Sequence, residues 1–174
     1  RHRDIAGEAG DQGLRLDQVD HDTGLRLVDS VLVAAVRHVD PVNGGGAEAA
    51  TLTLMVGGSK EAFEKGKSAL AAMGKKVVHC GGPGLGQAAK ICNNMMLGIN
   101  MIGTCEAFVL AEKLGLDKQA VFDVISTSSG ATWVINSYCP VPGPVPASPA
   151  NNGYKPGFAA GLMAKDLNLS QEAA

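Results

Sequence analysis

The chain has 174 residues, of which 45% are hydrophobic and 18% charged; this balance permits a buried core and excludes a chain that is disordered throughout. The formal net charge of −2 gives no reason to expect a nucleic acid or an anionic membrane as a partner. No stretch approaches the ~20 apolar residues of a membrane span, and the polar N-terminus lacks a signal-peptide core. We therefore expect neither a membrane segment nor secretion.

The first 40 residues differ in composition from the rest of the chain. Every arginine lies at or before Arg37, whereas every lysine lies at or after Lys60. We infer a junction near residues 38–46 and interpret residues 1–40 as an atypical segment, either non-native or misread; chance in a variable surface region is the alternative. Within this segment, the apolar residues 30–39 (SVLVAAVRHV) fit either a strand or a short buried helix.

The next part of the chain has a strand–helix–strand pattern, which is typical of α/β architecture. Residues 51–56 (TLTLMV) are rich in strand-forming side chains. Ser59 is a suitable N-cap for a helix that extends to about Met73, where Gly74 would end it. Residues 75–80 (KKVVHC) then form a second predicted strand.

A glycine-rich segment follows the second strand and resembles a phosphate-binding loop only in part. Gly82 and Gly84 precede a predicted helix, as in the G-x-G-x-x-G fingerprint of dinucleotide-binding folds. The third glycine of that pattern is replaced by Gln87, and no acidic residue ends a strand about 20 residues later. We interpret the segment as a flexible turn between domains.

The second half of the chain is predicted to be mostly helical. Residues 87–114 form a long helix, apolar around most of its circumference, which predicts burial inside a larger helical assembly. A further helix begins at Asp117, and a loop rich in proline and glycine occupies residues 138–156. A last helix begins near Phe158 and is cut off at the end of the chain.

The four cysteines give no indication of a metal site. They form no C-x-x-C pair and no cluster with histidine, so we expect no zinc or other metal ion. Cys92 and Cys105 lie within the long apolar helix. We interpret them as buried free thiols in a reducing compartment.

Four residues at intervals of four, Gly86, Lys90, Asn94 and Gly98, share one face of the long helix. That face places an ammonium and an amide among apolar neighbours. One interpretation is a lysine that reaches the surface with its ammonium. The other is functional: the glycines let a ligand approach, Lys90 has a lowered pKa in a low-dielectric cleft and moves a proton, and Asn94 holds a hydroxyl or carboxylate oxygen.

The segment 86–94 (GQAAKICNN) resembles the active-site helix of the 3-hydroxyisobutyrate dehydrogenases, which belong to the β-hydroxyacid dehydrogenases. The resemblance extends from about Asp40 to the C-terminus. Further segments fit the same family in the same order: TLTLMVGG at 51–58, SSG at 128–130, Trp133, PVPG at 140–143 and LMAKDL at 162–167. Several motifs in one order are more specific than any single one.

The resemblance implies an α/β remnant of a dinucleotide-binding domain at residues 41–83, followed by a mostly all-α domain at residues 84–174, with the long helix between them and truncation at both ends. The all-α domain is similar to the C-terminal domain of 6-phosphogluconate dehydrogenases and implies a homo-oligomer formed through this domain. The resemblance to the family further implies oxidation of 3-hydroxyisobutyrate to methylmalonate semialdehyde in valine catabolism, with NAD as cofactor and NADP as the alternative. The location would be the cytoplasm in a bacterium and the mitochondrial matrix in a eukaryote.

The resemblance also assigns roles to particular residues. Lys90 matches the general acid/base, and Asn94 matches a substrate-binding residue. Lys165 and Phe158 match positions near the cofactor. The carboxylate-binding turn of the family corresponds here to Asn43, Gly44 and Gly45, for which a plain tight turn is the alternative.

Two other functions remain open at the level of sequence. One is a related semialdehyde or glyoxylate reductase, and the PVPG motif favours the hydroxyisobutyrate group over it. The other is a non-catalytic fragment that acts only as a helical association module. Because G-x-G-x-x-G and a full parallel sheet are missing before residue 40, we expect the isolated chain to bind NAD poorly and to be inactive alone.

Overall fold

The computed structural model describes residues 26–28, 31–36, 52–155 and 158–174. The predicted carboxylate-binding turn, Asn43 to Gly45, lies outside these residues. The elements in chain order are β1 Arg26–Val28, β2 Val31–Val36, β3 Thr53–Gly57, α1 Lys60–Met73, β4 Lys76–Gly81, α2 Leu85–Lys113, α3 Lys118–Thr127, α4 Trp133–Ser137, a 3-10 turn Pro149–Asn152, and α5 Ala160–Ala173.

The strands form one sheet in the order β1-β2-β3-β4. β3 and β4 are parallel and joined by α1, as the strand–helix–strand pattern predicts, whereas β1 and β2 are antiparallel to their neighbours. Residues 31–36 therefore form a strand, which decides between the two alternatives for the apolar segment 30–39. The α/β character of the first part is thus confirmed for the described residues.

Helix α1 packs on the sheet through an apolar face. Ser59 is its N-cap, and the Ser59 hydroxyl accepts a hydrogen bond of 3.1 Å from the backbone N–H of Ala62. Phe63 and Leu70 pack against Leu54 and Val56 of β3, forming the first buried cluster. Burying each of these large side chains contributes about 1.5–3 kcal/mol.

The turn before α2 brings this helix directly against the end of β3. Gly84 adopts φ 84°, a left-handed conformation that favours glycine. A Cβ atom on Gly86 would lie 2.6 Å from the carbonyl oxygen of Met55, and one on Gly57 would lie 2.9 Å from the backbone nitrogen of Gly86. Glycine at both positions therefore permits two backbones to touch, and this contact fixes where α2 leaves the sheet.

The C-terminal part of α2 carries the second buried cluster. Here α3, α4 and the following loop pack around the helix and bury Phe108, Ala111, Val121, Ile135, Cys139 and Val145. Helix α4 was not predicted: Thr132 caps it by accepting a hydrogen bond of 3.3 Å from the N–H of Ile135. The helix has only five residues, which is too short for a periodic pattern to be visible in the sequence.

The expected burial of α2 is found only in part. Six large apolar side chains of α2 are exposed: Leu85, Met96, Ile99, Ile102, Val109 and Leu110. Cys92 is exposed as well, so its interpretation as a buried thiol is wrong, whereas Cys105 is half-buried. The apolar pattern of the sequence reports how hydrophobic the helix is, but not which neighbours cover it.

By length and composition alone, α2 is also the one helix of the described residues that could cross a membrane. Its most apolar 18-residue window has a mean hydropathy of 1.3 and is 28% buried. The expectation that no stretch approaches a membrane span is therefore wrong for this helix by that measure. A single such helix is weak evidence for a membrane, because core helices of soluble proteins have the same length and composition.

Candidate proton-transfer site

The N-terminal half of α2 presents the predicted pair, Lys90 and Asn94, one turn apart. Asn94 is buried, and Lys90 is half-buried. Burial lowers the pKa of Lys90 from its usual value of 10.5, because an ammonium loses hydration there; the carboxylate of Asp166 opposes this by raising the pKa, and Lys165 lowers it further. The half-burial of Lys90 leaves both interpretations open: its stem is partly covered, and its ammonium is either at the surface or in a polar cleft.

Asn94 reaches across to α5. Its Nδ2 donates a hydrogen bond of 2.7 Å to Oδ2 of Asp166, a residue 72 positions later in the chain. Its Oδ1 accepts a hydrogen bond of 3.1 Å from Nδ2 of Asn93. Asn94 and Asp166 are only 7% and 8% exposed, so this charge-assisted bond is shielded from water.

Lys165 lies beside this pair on α5. Its Nζ is 3.4 Å from the second carboxylate oxygen of Asp166, and its side chain is 38% exposed. Asp166 therefore divides its two oxygens between an amide on α2 and an ammonium on α5. The structure thus places Asn94 and Lys165 in contact with one carboxylate, which also acts electrostatically on Lys90.

Phe158, the other residue predicted to lie near the cofactor, has no described contact with Asp166 or its neighbours. It is exposed and lies two residues before α5 begins. The ring-stacking pairs of the described residues are Phe63 with His79 and Trp133 with Tyr138, and they do not include Phe158. The described contacts thus leave the predicted role of Phe158 near a cofactor as a prediction.

Asp166 is the residue that sequence reasoning missed. It lies inside the Lys-Asp-Leu motif at residues 165–167, but no role was expected for it. A signal was present, because Asp166 shares a helix face with Leu162 and Met163, where an unpaired carboxylate would be costly to bury. What the sequence could not give was its partner on another helix.

The predicted role of the glycines was wrong. Gly86 packs on β3, and a Cβ atom on Gly98 would lie 2.9 Å from Leu167 and 3.2 Å from the sulfur of Met163. The glycines therefore let α2 approach a strand and α5 closely, and leave no room there for a ligand. Among the described residues, the buried Oε1 of Gln87, one turn before Lys90, has no hydrogen-bond partner and is an available acceptor.

An amine with a lowered pKa beside a carboxylate and an amide is suited to moving a proton. The described residues contain no group of three or more His, Cys, Asp or Glu side chains that could hold a metal ion. A strand–helix–strand unit, a long connecting helix and a helical unit together define a class: α/β proteins with an appended helical domain.

Comparison with known families places the chain within this class. The family model described as "NAD-binding of NADP-dependent 3-hydroxyisobutyrate dehydrogenase" matches residues 84–174, and "NAD binding domain of 6-phosphogluconate dehydrogenase" matches residues 24–82. The first match covers more than half of the chain. The chain therefore belongs to the 3-hydroxyisobutyrate dehydrogenase family, as its sequence motifs predicted.

Individual relatives agree with this assignment. The chain is 55% identical over 135 residues to a probable 3-hydroxyisobutyrate dehydrogenase of Mycobacterium tuberculosis, covering 76% of this chain and 46% of the relative. It is 48% identical over 147 residues to the mitochondrial 3-hydroxyisobutyrate dehydrogenase of Drosophila melanogaster, covering 83% and 45%. The chain thus spans about half the length of the curated relatives it matches.

A solved structure agrees in fold as well. The 3-hydroxyisobutyrate dehydrogenase of Mycobacterium tuberculosis, determined with L-serine, superimposes with a TM-score of 0.75 at 49% identity, covering 82% of this chain and 47% of that one. The α/β unit and the helical unit described above are therefore those of a known dehydrogenase architecture.

Proposed function

We propose that this chain provides the substrate-binding and proton-transfer part of an enzyme that oxidises 3-hydroxyisobutyrate to methylmalonate semialdehyde in valine catabolism. The observation that carries the proposal is that the buried carboxylate of Asp166 binds Asn94 and Lys165, and that Lys90 lies one turn before Asn94 on the same helix face. The names of the relatives support the substrate class. The expected location is the cytoplasm in a bacterium and the mitochondrial matrix in a eukaryote, where relatives are named mitochondrial.

The described residues fit one end of a nicotinamide dinucleotide. The ammonium of Lys165 is partly exposed beside the cluster, and Phe158 offers an exposed ring that could lie against a flat group. The turn before α2 does not complete a diphosphate site, because Gln87 stands where a third glycine would be needed. We therefore assign Lys165 and Phe158 to the nicotinamide end of NAD or NADP, and assign the diphosphate to none of the described residues.

In this proposal, the residues of the chain handle the substrate and its proton. NAD or NADP, when bound, would supply the hydride acceptor for this oxidation. Nζ of Lys90 takes the proton of the substrate hydroxyl, for which a lowered pKa is required at neutral pH, and returns it in the reverse direction. Asn94 donates its remaining N–H to a substrate oxygen, and the turn at Asn43, Gly44 and Gly45 binds the carboxylate.

The test compares the chain with its Lys90→Ala variant in 3-hydroxyisobutyrate oxidation. NADH formation is followed at high enzyme and high NAD concentration, because we expect the chain alone to bind NAD more weakly than micromolar. Loss of a general base lowers turnover about a hundredfold or more. Lys113→Ala, which removes an exposed lysine from the same helix, is the matched control and should leave the rate unchanged.

The role of Lys90 and the expected weak binding of NAD can each be contradicted by one result. Oxidation that persists unchanged in Lys90→Ala would remove Lys90 from the mechanism. Calorimetry that shows micromolar NAD binding to the isolated chain would contradict the weak binding expected here. Parallel assays with glyoxylate and with tartronate semialdehyde, and with NADP in place of NAD, would separate the related reductases and the two cofactors.

A second candidate function, a helical association module, is favoured by the exposed apolar side chains Met96, Ile99 and Ile102 on α2. In the enzymatic proposal, the same surface forms the contact of a homo-oligomer. Sedimentation of the wild-type chain tests whether this surface associates. Association without any reaction that depends on Lys90 would favour the module over the enzyme.

A further inference from the structure

We propose that Asp166 is the positioning residue of this site: it fixes the amide of Asn94 in one orientation and supplies the negative charge that faces Lys90. The inference rests on the proposed function, since it assigns Asn94 and Lys90 their tasks. It concerns a residue that neither contacts the substrate in the mechanism above nor gives up a proton.

The first step is the orientation of the amide. An asparagine side chain can present either its NH2 group or its oxygen to a partner, and the hydrogen-bond network decides which. A carboxylate only accepts, so Oδ2 of Asp166 requires the Nδ2 group of Asn94 at 2.7 Å. In this orientation Oδ1 of Asn94 accepts a hydrogen bond of 3.1 Å from Nδ2 of Asn93, which is consistent with it.

The second step is what this orientation leaves available. Nδ2 of Asn94 has two N–H bonds, of which the carboxylate of Asp166 takes one. The other N–H is directed by the first, because both lie in the plane of the amide. Asp166 therefore determines that Asn94 acts as a donor toward a substrate hydroxyl or carboxylate oxygen, and not as an acceptor.

The third step is charge. Burial lowers the pKa of Lys90, and the carboxylate of Asp166 acts in the opposite direction. Its other oxygen lies 3.4 Å from Nζ of Lys165, which also carries a positive charge toward the site. Asp166 thus limits how far the pKa of Lys90 can fall. Its negative charge also offsets the repulsion between the ammonium groups of Lys90 and Lys165.

A purely structural tie between α2 and α5 is the competing explanation for the same bond. The two explanations differ in what they predict for Asp166→Asn and Asp166→Ala. The asparagine variant keeps an oxygen that can accept from Asn94 but removes the charge. The alanine variant removes both, and Glu172→Gln, which removes an exposed charge from the same helix, is the control.

The experiment measures these variants in two ways. In kinetics, oxidation requires the free amine of Lys90, so the rising limb of the pH profile of kcat/KM follows the pKa of Lys90. Asp166→Asn should move this limb to lower pH while changing KM less than about threefold. Asp166→Ala should move it as well and raise KM about tenfold, the loss expected when the hydrogen bond from Asn94 to the substrate is no longer aligned.

The second measurement needs no turnover. In NMR spectra of the wild-type chain, the side-chain amide signal of Asn94, assigned by its absence in Asn94→Ser, should change in Asp166→Ala. The pKa of Lys90, followed through its labelled side-chain carbon, should fall in Asp166→Asn and stay unchanged in Glu172→Gln.

The outcomes separate the two proposals. If Asp166→Asn leaves the pKa of Lys90 unchanged, or Asp166→Ala leaves the Asn94 amide signal unchanged in a folded chain, the positioning role is refuted. If both signals change as expected but Lys90→Ala leaves a measurable oxidation of hydroxy acid unchanged, the proposed function fails and the positioning of Asn94 by Asp166 stands.

Discussion

The contact between α2 and the sheet can be tested with alanine substitutions at glycines of the same helix. Gly86→Ala would place a Cβ atom 2.6 Å from the carbonyl oxygen of Met55 and 2.9 Å from the nitrogen of Gly57. Both are backbone atoms of β3, which is hydrogen-bonded to a strand on each side. Neither atom can rotate away, so the helix or the strand must move.

Two opposing effects determine how much Gly86→Ala changes the free energy of unfolding. Overpacking a close contact costs about 1–3 kcal/mol. Alanine gains up to about 1 kcal/mol over glycine inside a helix, but little at Gly86, the second residue of α2. We therefore expect Gly86→Ala to lower the free energy of unfolding by about 1–3 kcal/mol.

Two other glycines of α2 provide the controls. A Cβ atom on Gly103 meets nothing within 4 Å, so Gly103→Ala should raise the free energy of unfolding by up to about 1 kcal/mol. A Cβ atom on Gly98 meets only side-chain atoms of Leu167 and Met163, which can rotate, so this variant should fall between the other two.

Urea unfolding followed by circular dichroism measures the three variants against the wild-type chain, with equal slopes as the check for comparable unfolding. A Gly86→Ala variant as stable as Gly103→Ala would refute the reasoning. It would mean that α2 does not lie against β3 at the distance described.

The remaining predictions concern the second core and the charge on Lys90. Ile135 is fully buried, so Ile135→Ala should cost about 2–5 kcal/mol in urea unfolding, whereas Ile102→Ala at an exposed position should cost almost nothing; equal effects would contradict the described core. The pKa of Lys90 is lowered in the folded chain, so between that pKa and 10.5 the unfolded chain binds more protons. Wild-type stability should therefore rise with pH across this window relative to Lys90→Met, and a difference that is constant with pH would contradict the shift.

Local sequence signals predicted most of the described fold. Ser59 and Asp117 mark helix starts through side-chain caps, which act over a few residues and are visible in sequence, and Gly74 follows the end of α1 in an extended conformation. The boundaries of α1 and β4 and the start of α3 fall within two residues of those expected. Helix α4 and the pairing of β2 with β3 were missed, since one is too short for periodicity and the other depends on contacts between distant residues.

Some features of the candidate site were likewise predicted from local sequence, whereas others depended on tertiary contacts. The four-residue spacing of Lys90 and Asn94 on one helix was sufficient to predict that they share a face. The role of Gly86 and Gly98 was predicted wrongly, because the sequence shows that a glycine leaves space but not what fills it. Here a strand backbone and the side chains of α5 fill it.

The amino-acid sequence was sufficient to predict the helices and strands other than β1 and α4, the family, and the presence of an ammonium and an amide on one apolar helix face. Each of these depends on neighbouring residues or on ordered motifs. Only the tertiary structure decided that Asn94 meets Asp166, 72 residues away, and that both are buried. The physical reason is that hydration and charge pairing set the pKa of Lys90, and both depend on how α5 packs against α2.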